Sequence, residues 1–310
     1  EPPAKGPPKS IAPRLAAANL SLAWMKSKRK LPVDVEARWL NTVVDFYASV
    51  GMSAKATAAI NIAFDKVNSE DKTLNRYLMG REYCNAEREQ GNFQSCSNMI
   101  NKIYKSNPDF EGQIELARNL FEQGRFKESK SAFSTLSSKA KEFPGWKAWI
   151  PFFIGLSQMY LGEFAGATES LESHLKLLGS MPPLAKSSSV IYRLKMLRFQ
   201  KRFGDAWSEV EASRSLFDQL PQGPWRQRLV FDYESLLVAV GLQDKSKIKN
   251  CLIKVKNDFV GDPSEAFRHL AIQIIEKRLI NQPTENEVTK LGAIKGVNHP
   301  EVIDIKNVLQ

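Results

Sequence analysis

The chain has 310 residues, 43% of them hydrophobic and 25% charged, which is the balance of a globular protein with a sizeable core. No apolar run approaches the roughly 18 residues that cross a bilayer as a helix. The net charge of +10 is concentrated. Residues 1–30 hold seven cations against Glu1 alone, and residues 173–204 hold seven cations and no acid. Such patches suit nucleic acid, an anionic surface or acidic protein partners, and equally a solvated cationic face.

In chain order, residues 1–13 contain five prolines with Gly, Lys and Ser and read as a flexible tail or tether. Residues 14–310 read as a single helical domain. In "RWLNTVVDFYASV", Leu40, Val43, Val44 and Tyr47 share one face at helical spacing. No alternating strand pattern occurs, and turn signals such as "SNPD", "LPQGP" and "NQPTEN" cut the chain into short helices. Three stretches then align: "GNFQSCSNMI", "GRFKESKSAF" and "GEFAGATESL". Gly91, Gly124 and Gly162 coincide, as do Phe93, Phe126 and Phe164, then Cys96, Ser129 and Ala167. Upstream, Gly51, Ala56 and Ile60 continue the series; downstream, Phe203, Ala206 and Val210 do so, with Lys201 in the glycine place. A sixth unit near Gln243–Leu252 is fainter. The closing "PSEAFRHLAIQIIEKRLI" and "HPEVIDIKNVL" read as capping helices over residues 263–310.

These residues resemble the tetratricopeptide repeat (TPR) family. The match is a large apolar residue followed by a small one in a first helix (Leu116, Ala117), Gly-x-aromatic at the turn, a small residue in the second helix and a closing Pro108. It is clearest over 83–178 and degenerate over 38–70 and 187–258. The resemblance implies an all-α, right-handed superhelical solenoid of antiparallel helical hairpins. A lone hairpin cannot bury its apolar face, so hairpins stack.

The family binds partners on the concave face of its first helices. By that alignment Trp149, Phe152, Leu156 and Met159 form an apolar stripe for a partner helix or peptide, unless a neighbouring element covers it. Arg81, Asn85, Arg88 and Arg118 form a polar counterpart. Arg81 and Asn85 resemble part of the clamp some members use for a C-terminal carboxylate, but Glu115, Trp149 and Phe153 occupy the clamp's remaining places. Arg193, Lys195, Arg198, Lys201 and Arg202, interleaved with Tyr192 and Phe199, form a basic patch that fits single-stranded RNA or an anionic surface by charge and stacking.

Enzyme and cofactor motifs are missing: no P-loop, G-x-G-x-x-G, G-x-S-x-G or H-E-x-x-H. His174, His269 and His299 lie in separate segments. No catalytic, cofactor-binding or metal-binding residue is therefore expected. Cys84 and Cys96 take the two small positions which, in the TPR family, face each other at closest approach. That implies a spacing a disulfide tolerates, with reduced packing as the alternative; Cys251 has no evident partner. The expected function is a non-catalytic scaffold or adaptor for another protein or peptide. A bacterial envelope or periplasmic assembly, with a leader removed, is preferred to the cytoplasm because of the cysteine pair and the Pro-rich opening. The alternative is a basic module holding RNA or an anionic surface through residues 173–204.

Overall fold

The computed structural model describes residues 12–27, 32–66, 76–104, 108–179, 186–220, 225–257, 266–296 and 298–309. The proline-rich stretch 1–11 lies outside them. Helix α1 (Ala12–Met25) leads into seven antiparallel hairpins: α2 (Val33–Ser49) with α3 (Ser53–Lys66), α4 (Arg76–Glu89) with α5 (Phe93–Tyr104), α6 (Phe110–Glu122) with α7 (Phe126–Ser137), α9 (Trp149–Tyr160) with α10 (Phe164–Leu178), α11 (Ser187–Phe199) with α12 (Phe203–Asp218), α13 (Arg226–Gly241) with α14 (Lys245–Asn257), and α15 (Ala266–Leu279) with α16 (Glu285–Lys295). A 3-10 turn (Lys139–Glu142) and the one-turn α8 (Pro144–Lys147) bridge α7 to α9, and α17 (Pro300–Leu309) ends the chain. No strand occurs among the described residues.

One turn geometry makes all seven hairpins. Each first helix ends in a residue with positive φ: Gly51, Gly91, Gly124 and Gly162 at 73–79°, then Lys201, Gln243 and Asn281 at 55–57°. The next residue's N–H reaches back to the helix, as in Asn92 to the Glu87 carbonyl (2.8 Å), Glu163 to Gln158 (2.9 Å) and Arg202 to Leu197 (2.9 Å). This Schellman closure satisfies the orphan carbonyls at a helix end. The substitution of Lys201 for glycine therefore leaves the turn intact. The faint unit at Gln243 is a full hairpin, and α15–α16, expected only as a cap, repeats the same turn at Asn281.

Consecutive helices pack on one another, and first helices also touch the next first helix, as α2 does α4, α4 does α6, α9 does α11 and α11 does α13. The core is accordingly a row of clusters rather than one centre. Tyr47 and Leu40 anchor the first, Phe110 and Phe133 another, Leu171 and Tyr192 the next, then Phe217 with Phe231, then Phe267 with Leu236. Burying each such side chain stabilises by roughly 1.5–3 kcal/mol. Close approaches require small residues. A Cβ on Gly155 would overlap the Tyr192 hydroxyl, which donates to the Ala167 carbonyl at 3.0 Å.

The last helix breaks the neighbour-to-neighbour order. Helix α17 packs on α13, and its side chains reach α9 and α11 more than a hundred residues back. Tyr160 and Lys195 both bond Asp304. Just before it, Asn298 lies against the α6–α7 turn, where a Cβ on Gly124 would overlap its carbonyl oxygen. Arg268 of α15 approaches Glu89 of α4 at 3.5 Å. The first helices thus surround the C-terminal segment.

Candidate functional site

Six first helices and the start of α17 frame a cavity of about 430 Å³. Helix α9 supplies its apolar wall: Trp149, Phe152, Phe153, Leu156 and Tyr160 recur at the spacing that keeps them on one side. Their rings meet edge to face, Trp149 to Phe152 at 5.5 Å and Phe152 to Tyr192 at 5.5 Å, the arrangement aromatic quadrupoles prefer. Three of the four residues expected in the partner groove line this wall. Met159 does not: it is fully buried with Ala167 and Leu171. Its angular position falls to the α10 side of the stripe, and Tyr160, one residue on, takes its place.

The opposite wall comes from α4 and α6. Arg88 and Arg118 both grip Glu115, at 2.8 and 3.0 Å. Both also donate to Asn85 Oδ1, at 2.8 and 2.7 Å. Arg118 additionally covers the Phe153 ring at 5.4 Å. Burial pushes the Glu115 carboxyl up, but Arg118 and Arg88 together hold it below the ordinary range, so it stays ionised. Two cations share one anion at this wall. Arg81 lies further out, paired with Glu82 at 3.2 Å. It lines a second hollow of about 580 Å³ that shares Asn85, Arg118, Trp149 and Phe153 with the cavity. The structure therefore brings the apolar stripe and the polar face together along one groove.

At the far end, Asp304 of α17 accepts from Lys195 (2.8 Å) and Arg198 (3.1 Å) and from the Tyr160 hydroxyl (3.0 Å). Glu234 of α13 faces the same two cations at 3.1 and 3.2 Å. Asp304 and Glu234 are 1% exposed and Arg198 2%. Burial, and then the charge of Asp304, push the Tyr160 phenol well above its usual range. At the start of α17, His299 Nε2 sits 3.2 Å from Glu122 while its Nδ1 accepts from the Glu301 N–H. Lys195 and Arg198 were read as a basic patch, but Tyr160, Glu234, His299 and Asp304 were not read as site residues from the sequence. The only signal was one acid among aliphatics in "VIDIKNVL".

The basic patch is correspondingly altered. Lys195 and Arg198 face inward, Arg193 meets Glu209 at 2.7 Å and Arg202 meets Asp205 at 2.7 Å. Lys201 stands exposed on its turn. The acids come from outside residues 173–204, which is why the segment reads as unrelieved charge.

Cys84 and Cys96 are adjacent, fully buried free thiols. Cys84 Sγ donates to the Cys96 carbonyl at 3.5 Å, and Arg88 donates to Cys96 Sγ at 3.5 Å. The Cys84 thiol hydrogen bond and the Arg88 guanidinium draw the Cys96 thiol below its ordinary value, whereas burial pushes Cys251 up to about 11. His174 is a packing residue, donating from Nδ1 to the Ala148 carbonyl (2.7 Å) and accepting from Ser189 (2.9 Å); burial lowers its pKa. Among the described residues no group of three His, Cys, Asp or Glu is placed to hold a metal ion, and no helix is long and apolar enough to cross a membrane. No protein-family model matches the chain, and no curated protein matches it either.

Proposed function

We propose that the chain is a TPR-like, right-handed superhelical solenoid that works as a non-catalytic scaffold or adaptor, holding a segment of another protein in the groove of its first helices. The observation that carries this reading is the cavity itself. About 430 Å³ is walled on one side by Trp149, Phe152 and Leu156 and on the other by Asn85 and Arg118. Aromatic anchors beside a few fixed polar groups are what peptide grooves use, the rings for affinity and the amides and guanidinium groups for register. The assignment to a bacterial envelope or periplasmic assembly is part of the proposal and requires Cys84 and Cys96, adjacent free thiols in this structure, to become bonded.

The test is site-specific photo-crosslinking from position 152 in the source cell, compared with the same probe at exposed Lys201. A Trp149→Ala/Phe152→Ala variant serves as the pull-down control. Products specific to position 152 and lost partners in the variant are expected. An unchanged partner set in a folded variant would overturn the groove assignment.

A further inference from the structure

Part of the groove already has an occupant. Helix α17 buries Val302, Asp304 and Ile305 completely: Asp304 is held by side chains of α9 and α11, while Val302 and Ile305 join the cluster of α13, α14, α15 and α16. Tyr160, Lys195 and Arg198 take its carboxylate, and Pro300 and Glu301 form a stretch of the cavity wall. The helix and the cavity therefore lie end to end in the same groove. The charges show what the occupied half requires. Without Asp304, Lys195 and Arg198 would face Glu234 alone, leaving one buried cation uncompensated. Whatever fills this half must bring one negative charge, with a branched aliphatic two residues before it and another directly after.

We infer that this cradle, built by α9, α11, α13 and α16, is a helix-binding site, that α17 is its resident ligand in cis, and that the partner it accepts is an amphipathic helix presenting one carboxylate at the Val302–Asp304–Ile305 spacing. The inference deepens the proposed scaffold function and rests on it. A partner helix with this chemistry replaces α17 and can continue into the aromatic half of the groove. Helix α17 then reports whether the groove is taken.

The experiment uses the full chain with a protease site inserted between Gly296 and Asn298, cut after folding so that α17 stays in place until it is exchanged. A fluorescein-labelled peptide of residues 298–310 is titrated and its anisotropy read. Saturable exchange into nicked protein, and none into intact protein at the same concentration, is expected. The Asp304→Asn version of the peptide should bind about tenfold or more weakly, because it leaves a buried cation unpaired. An unrelated helical peptide keeping only the aliphatic, acid and aliphatic positions should compete. Three results each overturn the inference: no exchange at any concentration, equal binding of the Asn peptide, or failure of the unrelated peptide to compete. Crosslinking from position 152 is read separately. Partners retained there without exchange would remove only the cradle, and exchange without such partners would remove only the scaffold reading.

Discussion

Replacing Asp304 with Asn tests how α17 is held. Asn keeps the size and can still accept from Tyr160, but it removes one of the two charges that balance Lys195 and Arg198. Breaking a buried, hydrogen-bonded ion pair by neutralising one member costs about 3–5 kcal/mol. At an m-value near 3 kcal/mol/M the urea midpoint should fall by roughly 1–1.7 M. Adding Lys195→Gln restores the count, since Arg198 and Glu234 remain paired at 3.2 Å. The double variant should then be more stable than Asp304→Asn alone, a coupling that a double-mutant cycle measures. Acid titration gives an independent reading. Burial raises the Asp304 carboxyl, but Lys195 and Arg198 more than offset this and hold it below the ordinary 3.8. A depressed folded value means the contribution is complete above about pH 4 and is lost as pH falls through that lower value. The wild type should show this acid loss and Asp304→Asn should lack that component. An unchanged midpoint in the Asn variant, with an unchanged m-value, would refute the arrangement.

Other residues give sharper local tests. Gly124→Ala forces a side chain into φ +76° and against the Asn298 carbonyl; the left-handed conformation alone costs roughly 1–2 kcal/mol, and limited proteolysis should now cut near residue 298. Lys201→Gly relieves a non-glycine residue at φ +57° and should stabilise by about 1 kcal/mol, seen as a higher Tm. Mild oxidation followed by thiol counting in denaturant should leave Cys251 as the single free thiol if Cys84 and Cys96 bond, with the bond mapped by non-reducing peptide mass spectrometry. Three remaining thiols would show that the pair stays reduced. In low salt, the patch at Arg193, Lys195, Arg198, Lys201 and Arg202 should give weak heparin retention, since carboxylates already face four of these cations; strong retention that falls steeply with salt would favour the nucleic-acid reading.

The hairpins were legible because their signals are local. The Gly-x-Phe turns, the small residues twelve positions apart, and the stripe on α9 all lie within one or two units, so periodicity exposed them. Lys201 shows the limit of reading residue types. The turn needs a φ, which glycine adopts most easily but lysine can adopt at a cost, and the Lys201 N–H bond to the Arg198 carbonyl and the Arg202 N–H bond to the Leu197 carbonyl hold it there. The groove was half legible. Trp149, Phe152 and Leu156, read as one stripe from their spacing, line the cavity, whereas Met159 lies at the stripe's edge, where a small rotation decides between cavity and core. Asp304 was out of reach. Its partners are 106 to 144 residues away, and nothing in "EVIDIKNVL" says which cations it will meet. For the same reason Arg198 looked like surface charge: its compensation is encoded in α13 and α17.

An open row of hairpins unravels from its ends, because each unit depends only on its neighbours. The contacts of α17 change that topology. They tie α17 to α9 and α11, as a keystone ties the two sides of an arch. Without α17, Lys195 and Arg198 share Glu234 alone and the middle hairpins lose its contacts. A chain cut before α17 should melt in stages, whereas the intact chain should lose its hairpins together.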